Sequence, residues 1–185
     1  MPSKQNPLEP RPVRVFAEDE SRFGLLPIQR RRMTLKGIQP IASVQYDFES
    51  FYLYAAVEPT TGERFILELP AINTLNFQIF LDEFSKAYSA SFNLVVLDNG
   101  RFHKAQQLSI PEKIGLVFFP PYAPELNPTE RLWRDMTDRV AQSNPTSLDE
   151  LSDIVMAIIE QYSTEDIRSL TSYAYFIHAV NGQFS

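Results

Sequence analysis

"FNLVVLDN", Phe92 to Asn99, decides how the rest of the chain is read. A half-exposed strand alternates apolar and polar residues, whereas a nearly unbroken apolar run of strand length belongs to a strand covered on both faces. "IGLVFFP", Ile114 to Pro120, is a second run of that kind. The cover is sought in the flanking segments. Upstream, "NTLNFQIFLDEFSKAYSA" places Phe77, Phe80, Leu81, Phe84 and Tyr88 at helical spacing behind an Asn73 or Thr74 cap. Downstream, helices are expected from Thr129 to about Val140, from Leu148 to Tyr162 with Leu151, Ile154, Val155 and Ile158 on one stripe, and from Thr164 to about Ala179.

The N-terminal part supplies more strands. "VRVFAEDE" alternates with period two, which puts Val13, Val15, Ala17 and Asp19 on one face and Arg14, Phe16, Glu18 and Glu20 on the other. Glu18 and Glu20 are expected in solvent. "PIASVQYDFESFYLYAAVEPTTGERFILELP" reads as an antiparallel hairpin turning at "PTTGE", its second strand from Arg64 to Leu69. Strand, hairpin, helix, strand, strand, helices gives an α/β chain, a mixed sheet flanked by helices, and that succession resembles a ribonuclease H-like domain. Residues 1–12 carry four prolines and read as an extended leader or linker stump, leaving 13–185 as one domain.

The chain is 44% hydrophobic, too apolar for a disordered class, and has no cysteine, which excludes a disulfide framework or a thiolate metal site. With no signal-like N-terminus and no run of 18 or more apolar residues, a cytoplasmic location is expected. The net charge of −6 argues against nucleic acid until its distribution is considered. Acids crowd Asp149 to Asp166, while Arg22, Arg30, Arg31, Arg32 and Lys36 form a strip without an acid between Ser21 and Lys36. Such a strip suits phosphates, and Arg101 and Lys104 are further candidates. A solvated turn is the plainer alternative.

Three carboxylates fall where chain elements end: Asp19 late in the first strand, Asp98 after the apolar run, and Glu130 in a first helical turn. An acid at a strand end is costly unless solvated or paired with a cation. Together they suit two divalent ions, Mg2+ or Mn2+, that would act on a phosphodiester. Each also has a structural reading. Asp19 can be a solvated strand end, Asp98 part of an Asp-Asn-Gly turn, and Glu130 the third helical residue of a capping box begun by Asn127 and Pro128. Glu125 is the acid most easily confused with Glu130, which is preferred for lying on the helix. Trp133 is expected to pack against the sheet.

"AEDESRF", "VVLDNGRFHKA" and "FPPYAPELNPTERLWRDM" together resemble the three signature blocks of mariner-like insertion-sequence transposases, in the DDE transposase and integrase superfamily. The likeness covers about residues 13 to 180, and the Pro-x-x-Pro-Glu-Leu-Asn-Pro-x-Glu string is its most specific part. It implies that Asp19, Asp98 and Glu130 form a catalytic triad binding two Mg2+ or Mn2+ ions. It places His103 within the signature, beside or behind the metals or against DNA, with Asn99 and Asn127 close by. It implies cleavage of transposon ends and strand transfer into double-stranded target DNA, by a chain that is dimeric when active. The family's helix-turn-helix half has no counterpart in this sequence and is expected from another reading frame. Departures are slight: the interval between Asp98 and Glu130 is short, Met33 stands for a common Trp, and Gly100 for a common Ala. The alternative is an inactive or domesticated remnant that binds DNA or a partner; a stand-alone nuclease is a third reading.

Overall fold

A computed structural model describes residues 11–25 and 50–183. The basic residues Arg30, Arg31, Arg32 and Lys36, residues 1–10 of the leader, and the start of the hairpin's first strand lie outside them. The described chain runs β1 (Val13–Gly24), β2 (Ser50–Val57), β3 (Arg64–Leu69), α1 (Thr74–Ala87), β4 (Phe92–Leu97), β5 (Ile114–Phe118), α2 (Thr129–Val140), α3 (Leu148–Gln161), α4 (Thr164–Thr171) and α5 (Ala174–Gln183). Short 3-10 turns follow β4 at Arg101–Lys104 and precede α2 at Pro124–Leu126.

The sheet order is β3-β2-β1-β4-β5. β1, β2 and β3 pair antiparallel, whereas β1–β4 and β4–β5 pair parallel, so the expected mixed sheet forms. The hairpin turn rests on Gly62, at φ +80°, whose amide donates to Glu58 O at 2.8 Å. A Cβ there would lie 1.7 Å from the Thr164 carbonyl oxygen, so glycine is needed for both the backbone angle and the docking of the turn on α4.

Strand alternation builds two cores. On one face Val15, Ala17, Leu53, Ala55 and Val57 meet Leu132, Met136, Leu151, Val155 and Ile167 from the C-terminal helices. On the other Phe16, Tyr54, Ala56, Val95 and Leu97 meet Phe77, Phe80, Leu81 and Phe84 of α1. Asn73 caps α1 by accepting from Asn76 N at 2.9 Å, as the sequence suggested.

Four expectations are corrected. β1 extends to Gly24, because β2 pairs with it as far as Gly24↔Ser50. β5 is an edge strand and is not covered on both faces: Val117 is exposed, and on β4 the residues Leu94 and Val96 are only half-buried beside α5. The single helix foreseen from Thr164 is two helices, broken at Ser172 and Tyr173. Thr171 Oγ1 donates back to Ile167 O at 2.7 Å, a bond that bends helices, and Tyr173 N bonds Thr171 O at 2.8 Å, out of helical register. Glu18 and Glu20 are not in solvent, as described next.

Candidate active site

The site follows from where β1 and β4 part. Their parallel register ends at Ala17↔Val96, and two further residues on each strand bring Asp19 beside Asp98. The chain leaving β5 then crosses this end of the sheet through "PPYAPELNP" and starts α2 over it. Asp19, Asp98, Asn99, Arg101, Asn127 and Glu130 all line one open cleft of about 550 Å³. Glu125 stays exposed in its 3-10 turn and is absent from that lining.

Each acid is held differently. Asp19 Oδ2 accepts from Trp133 Nε1 at 3.1 Å, and the indole is buried edge-on to Phe23. Trp133 therefore packs against the sheet as expected and also orients a cleft carboxylate. Asp98 is exposed, and its Oδ1 accepts from Gly100 N at 2.7 Å. A Cβ on Gly100 would come within 3.0 Å of that oxygen, so the turn admits little beyond glycine without a shift. Glu130 is exposed in the first turn of α2. Burial, then the charge of Glu130, then that of Glu20, pushes the Asp19 carboxyl up to about 8.

The capping box assigned to Glu130 does not form. Asn127 is buried and works across the fold: its Nδ2 donates to Glu18 O at 2.8 Å, and its Oδ1 accepts from Thr129 N at 3.1 Å. Thr129 Oγ1 adds a bond to Ala17 O at 3.0 Å. Two side chains at the start of α2 thus bolt the helix to the β1 backbone beside Asp19. The anchor has a tertiary partner, which local capping rules cannot reveal.

Behind the cleft lies a second acidic group that sequence reading missed. Glu18 is fully buried, and the Glu20 side chain is 6% exposed, because α1 and the 3-10 turn after β4 close over that face of β1. His103 fills the gap, buried against Phe77 and Phe102. Its Nε2 lies 2.9 Å from Glu20 Oε1 and 3.7 Å from Glu18 Oε2. Its Nδ1 is 2.9 Å from Asp98 Oδ1 but off the angle a hydrogen bond needs. Both Glu18 carboxylate oxygens are likewise buried without a hydrogen-bond partner. Burial above all, then the charge of Glu20, drives the Glu18 carboxyl well above the usual range. Glu18, Glu20 and His103 present ligand atoms within 4.8 Å of one another and can hold a divalent cation. The alternation of "EDE" was the available signal, since it separates Asp19 from the two glutamates.

The remaining sequence candidates divide. Asn99 Nδ2 donates to Phe119 O at 2.6 Å and ties the ends of β4 and β5 together. Lys104 bonds Asn99 Oδ1 and lies 4.6 Å over the Phe118 ring, so its charge is already engaged. Arg101 is exposed on the cleft wall, and Arg22 is exposed on β1 opposite Tyr52.

Three parallel strands, β1, β4 and β5, extended by an antiparallel hairpin, with helices on both faces and acids gathered where the parallel pairing ends, define a domain of the ribonuclease H-like class. Within that class, residues 14–152 match the profile of the DDE superfamily endonucleases, and the chain belongs to that family. It is 36% identical over 88 residues to an uncharacterized protein, y4pE/y4sA, of Sinorhizobium fredii, covering 47% of this chain and 65% of the relative. It is 25% identical over 138 residues to an uncharacterized 39 kDa protein of insertion element IS630 from Shigella sonnei, covering 72% and 40%. The chain therefore spans less than two thirds of either relative. Among solved structures, the Mos1 strand transfer complex shares the fold at a TM-score of 0.60 and 16% identity, over 85% of this chain and 50% of that one. A simian T-cell lymphotropic virus intasome in complex with the PP2A regulatory subunit B56 gamma shares it at 0.53 and 14% identity, over 85% and 55%.

Proposed function

We propose that this chain is the catalytic domain of a DNA transposase, in which Asp19, Asp98 and Glu130 hold two divalent ions, Mg2+ or Mn2+. One observation carries the reading: these three acids line a single open cleft that a phosphodiester can enter. Glu18 and His103 are closed off, so the group behind the cleft is unsuited to a polymer substrate. The residues fit such ions. The donors in the cleft are oxygens, which suit hard cations. A half-buried Asp19 whose carboxyl is pushed up to about 8 by burial and by Glu130 is a site short of positive charge.

Ions bound there would supply Lewis acidity to the phosphodiester and acidify the attacking water or 3′-hydroxyl. The protein's part is to fix their ligands. Trp133 sets the Asp19 rotamer, the Gly100 amide sets Asp98, and the Asn127 and Thr129 anchors set the first turn that carries Glu130. Arg101 on the cleft wall neutralises a strand phosphate. The reading carries with it a helix-turn-helix half encoded by another reading frame, and paired transposon ends call for a dimer acting on double-stranded DNA in the cytoplasm.

The test uses supercoiled plasmid with a labelled duplex bearing free 3′-hydroxyls, in Mn2+. Nicking and covalent transfer of label to plasmid are expected, and both are lost in Asp98→Asn. Nicking without transfer favours a stand-alone nuclease. Neither reaction in the folded chain, even with the helix-turn-helix half present, favours the remnant.

A further inference from the structure

Tyr122 has φ 60°, the one positive value at a non-glycine position among the described residues. A bulky residue in the left-handed region is strained, and such strain persists where function requires the conformation. Packing does not explain it, because the Tyr122 side chain is exposed in full, at 101%. Tyr122 lines the acid cleft together with Arg101 and Glu130. Pro120, Pro121 and Pro124 line the same cleft. Their fixed φ angles preset the loop, so little backbone entropy remains to be lost when a ligand arrives.

Resting on the reading above, we propose that Tyr122 is a base-stacking residue. When the cleft holds a strand phosphate, the ring packs on the adjacent nucleobase and keeps it out of the duplex. The chemistry of the cleft favours this occupant. Arg101 and the ions held by the acids address the phosphate; the Tyr122 hydroxyl can donate to one as well, which the phenylalanine variant separates, whereas the ring face matches the π-face common to all four bases. An unpaired base at a strand end is the form most easily taken, since a paired one must first be unstacked.

The experiment uses the full chain in Ca2+ with a short forked duplex carrying 2-aminopurine at its unpaired 3′ end, and with the fully paired duplex as reference. The parent protein and Tyr122→Phe are expected to quench the 2-aminopurine fluorescence alike on binding. Tyr122→Leu loses the quenching and binds the fork about tenfold more weakly, with its affinity for the paired duplex unchanged. Tyr122→Gly behaves as the leucine variant with no fall in Tm, because glycine accepts the positive φ. Quenching retained in Tyr122→Leu or Tyr122→Gly overturns the stacking role while leaving the nuclease reading intact, as does an equal loss of affinity for both duplexes. A parent protein that binds neither duplex and nicks no DNA in Mn2+ overturns both.

Discussion

Replacing Asp19 with asparagine is expected to make the metal-free protein more stable. In the unfolded chain the carboxyl titrates near 3.8, whereas in the fold it is pushed up to about 8, so the native state binds the proton more tightly. Below the unfolded value both states carry the proton and there is no penalty. As pH rises above it the unfolded state ionises while the native state does not, and stability falls until the native carboxyl also ionises near 8. At pH 7 the gap of about three units from the unfolded value corresponds to a ceiling on the order of 4 kcal/mol. The asparagine side chain cannot ionise, and its oxygen can still accept from Trp133 Nε1, so Asp19→Asn escapes most of that penalty. The assay is urea unfolding in chelator at pH 4.5 and pH 7. The variant should exceed the parent by a few kcal/mol at pH 7 and by much less at pH 4.5. Excess Mn2+ should close most of the gap at pH 7, raising the parent by about 2.7 kcal/mol at a hundredfold over Kd and leaving the variant nearly unmoved. A gain equal at the two pH values, or none at pH 7, would refute the view of Asp19 as a carboxyl poised for a cation.

Other perturbations separate anchoring from chemistry. Glu130→Gln should change stability by less than about 0.5 kcal/mol, because the side chain is exposed, yet remove Mn2+-dependent nicking; matched urea melts and plasmid assays check this. Asn127→Ala leaves Glu18 O and Thr129 N without their partner and should cost about 2 to 3 kcal/mol in denaturant unfolding. His103→Ala strands Glu20 beside the unpartnered Glu18 and should cost about 3 to 5 kcal/mol by the same measurement. Gly62→Ala drives a Cβ into Thr164 and should lower stability by more than about 1 kcal/mol, read as a fall in Tm.

How much of this could be read from the sequence depended on the range over which each signal acts. The bounds of α2, Thr129 to Val140, were legible because Pro128 and the spacing of Leu132, Trp133 and Met136 are local marks. Asp98 and Glu130 were legible as a strand end and a helix start, whereas Asp19 lies within β1 and meets Asp98 because the parallel pairing with β4 stops two residues before it. Asn127 was read only in part: it accepts from Thr129 N as a cap does, but its other partner, Glu18 O, is 109 residues away and beyond what a capping rule inspects. The solvent expectation for Glu18 and Glu20 failed for a related reason. Period two states which residues share a face but not what covers it, and here α1 and the turn bearing His103 do.

That misreading bears on how the site works. β1 carries acids on both faces, Asp19 toward the cleft and Glu18 with Glu20 toward the interior, and His103 reaches Asp98 from the interior side. Asp98 is itself exposed, and the Gly100 amide holds one of its oxygens. The buried glutamates have little to offer stability, since Glu18 lacks a partner for either oxygen. Their effect is to seat His103 with Nδ1 2.9 Å from an Asp98 oxygen, so the interior of β1 abuts one cleft acid while α2, bolted to the same strand, places another. Asp19 belongs to β1 outright. Asp98 follows β4, the strand paired parallel to β1, and Glu130 rides on a helix bonded to β1, so the contacts that place the three acids converge on β1.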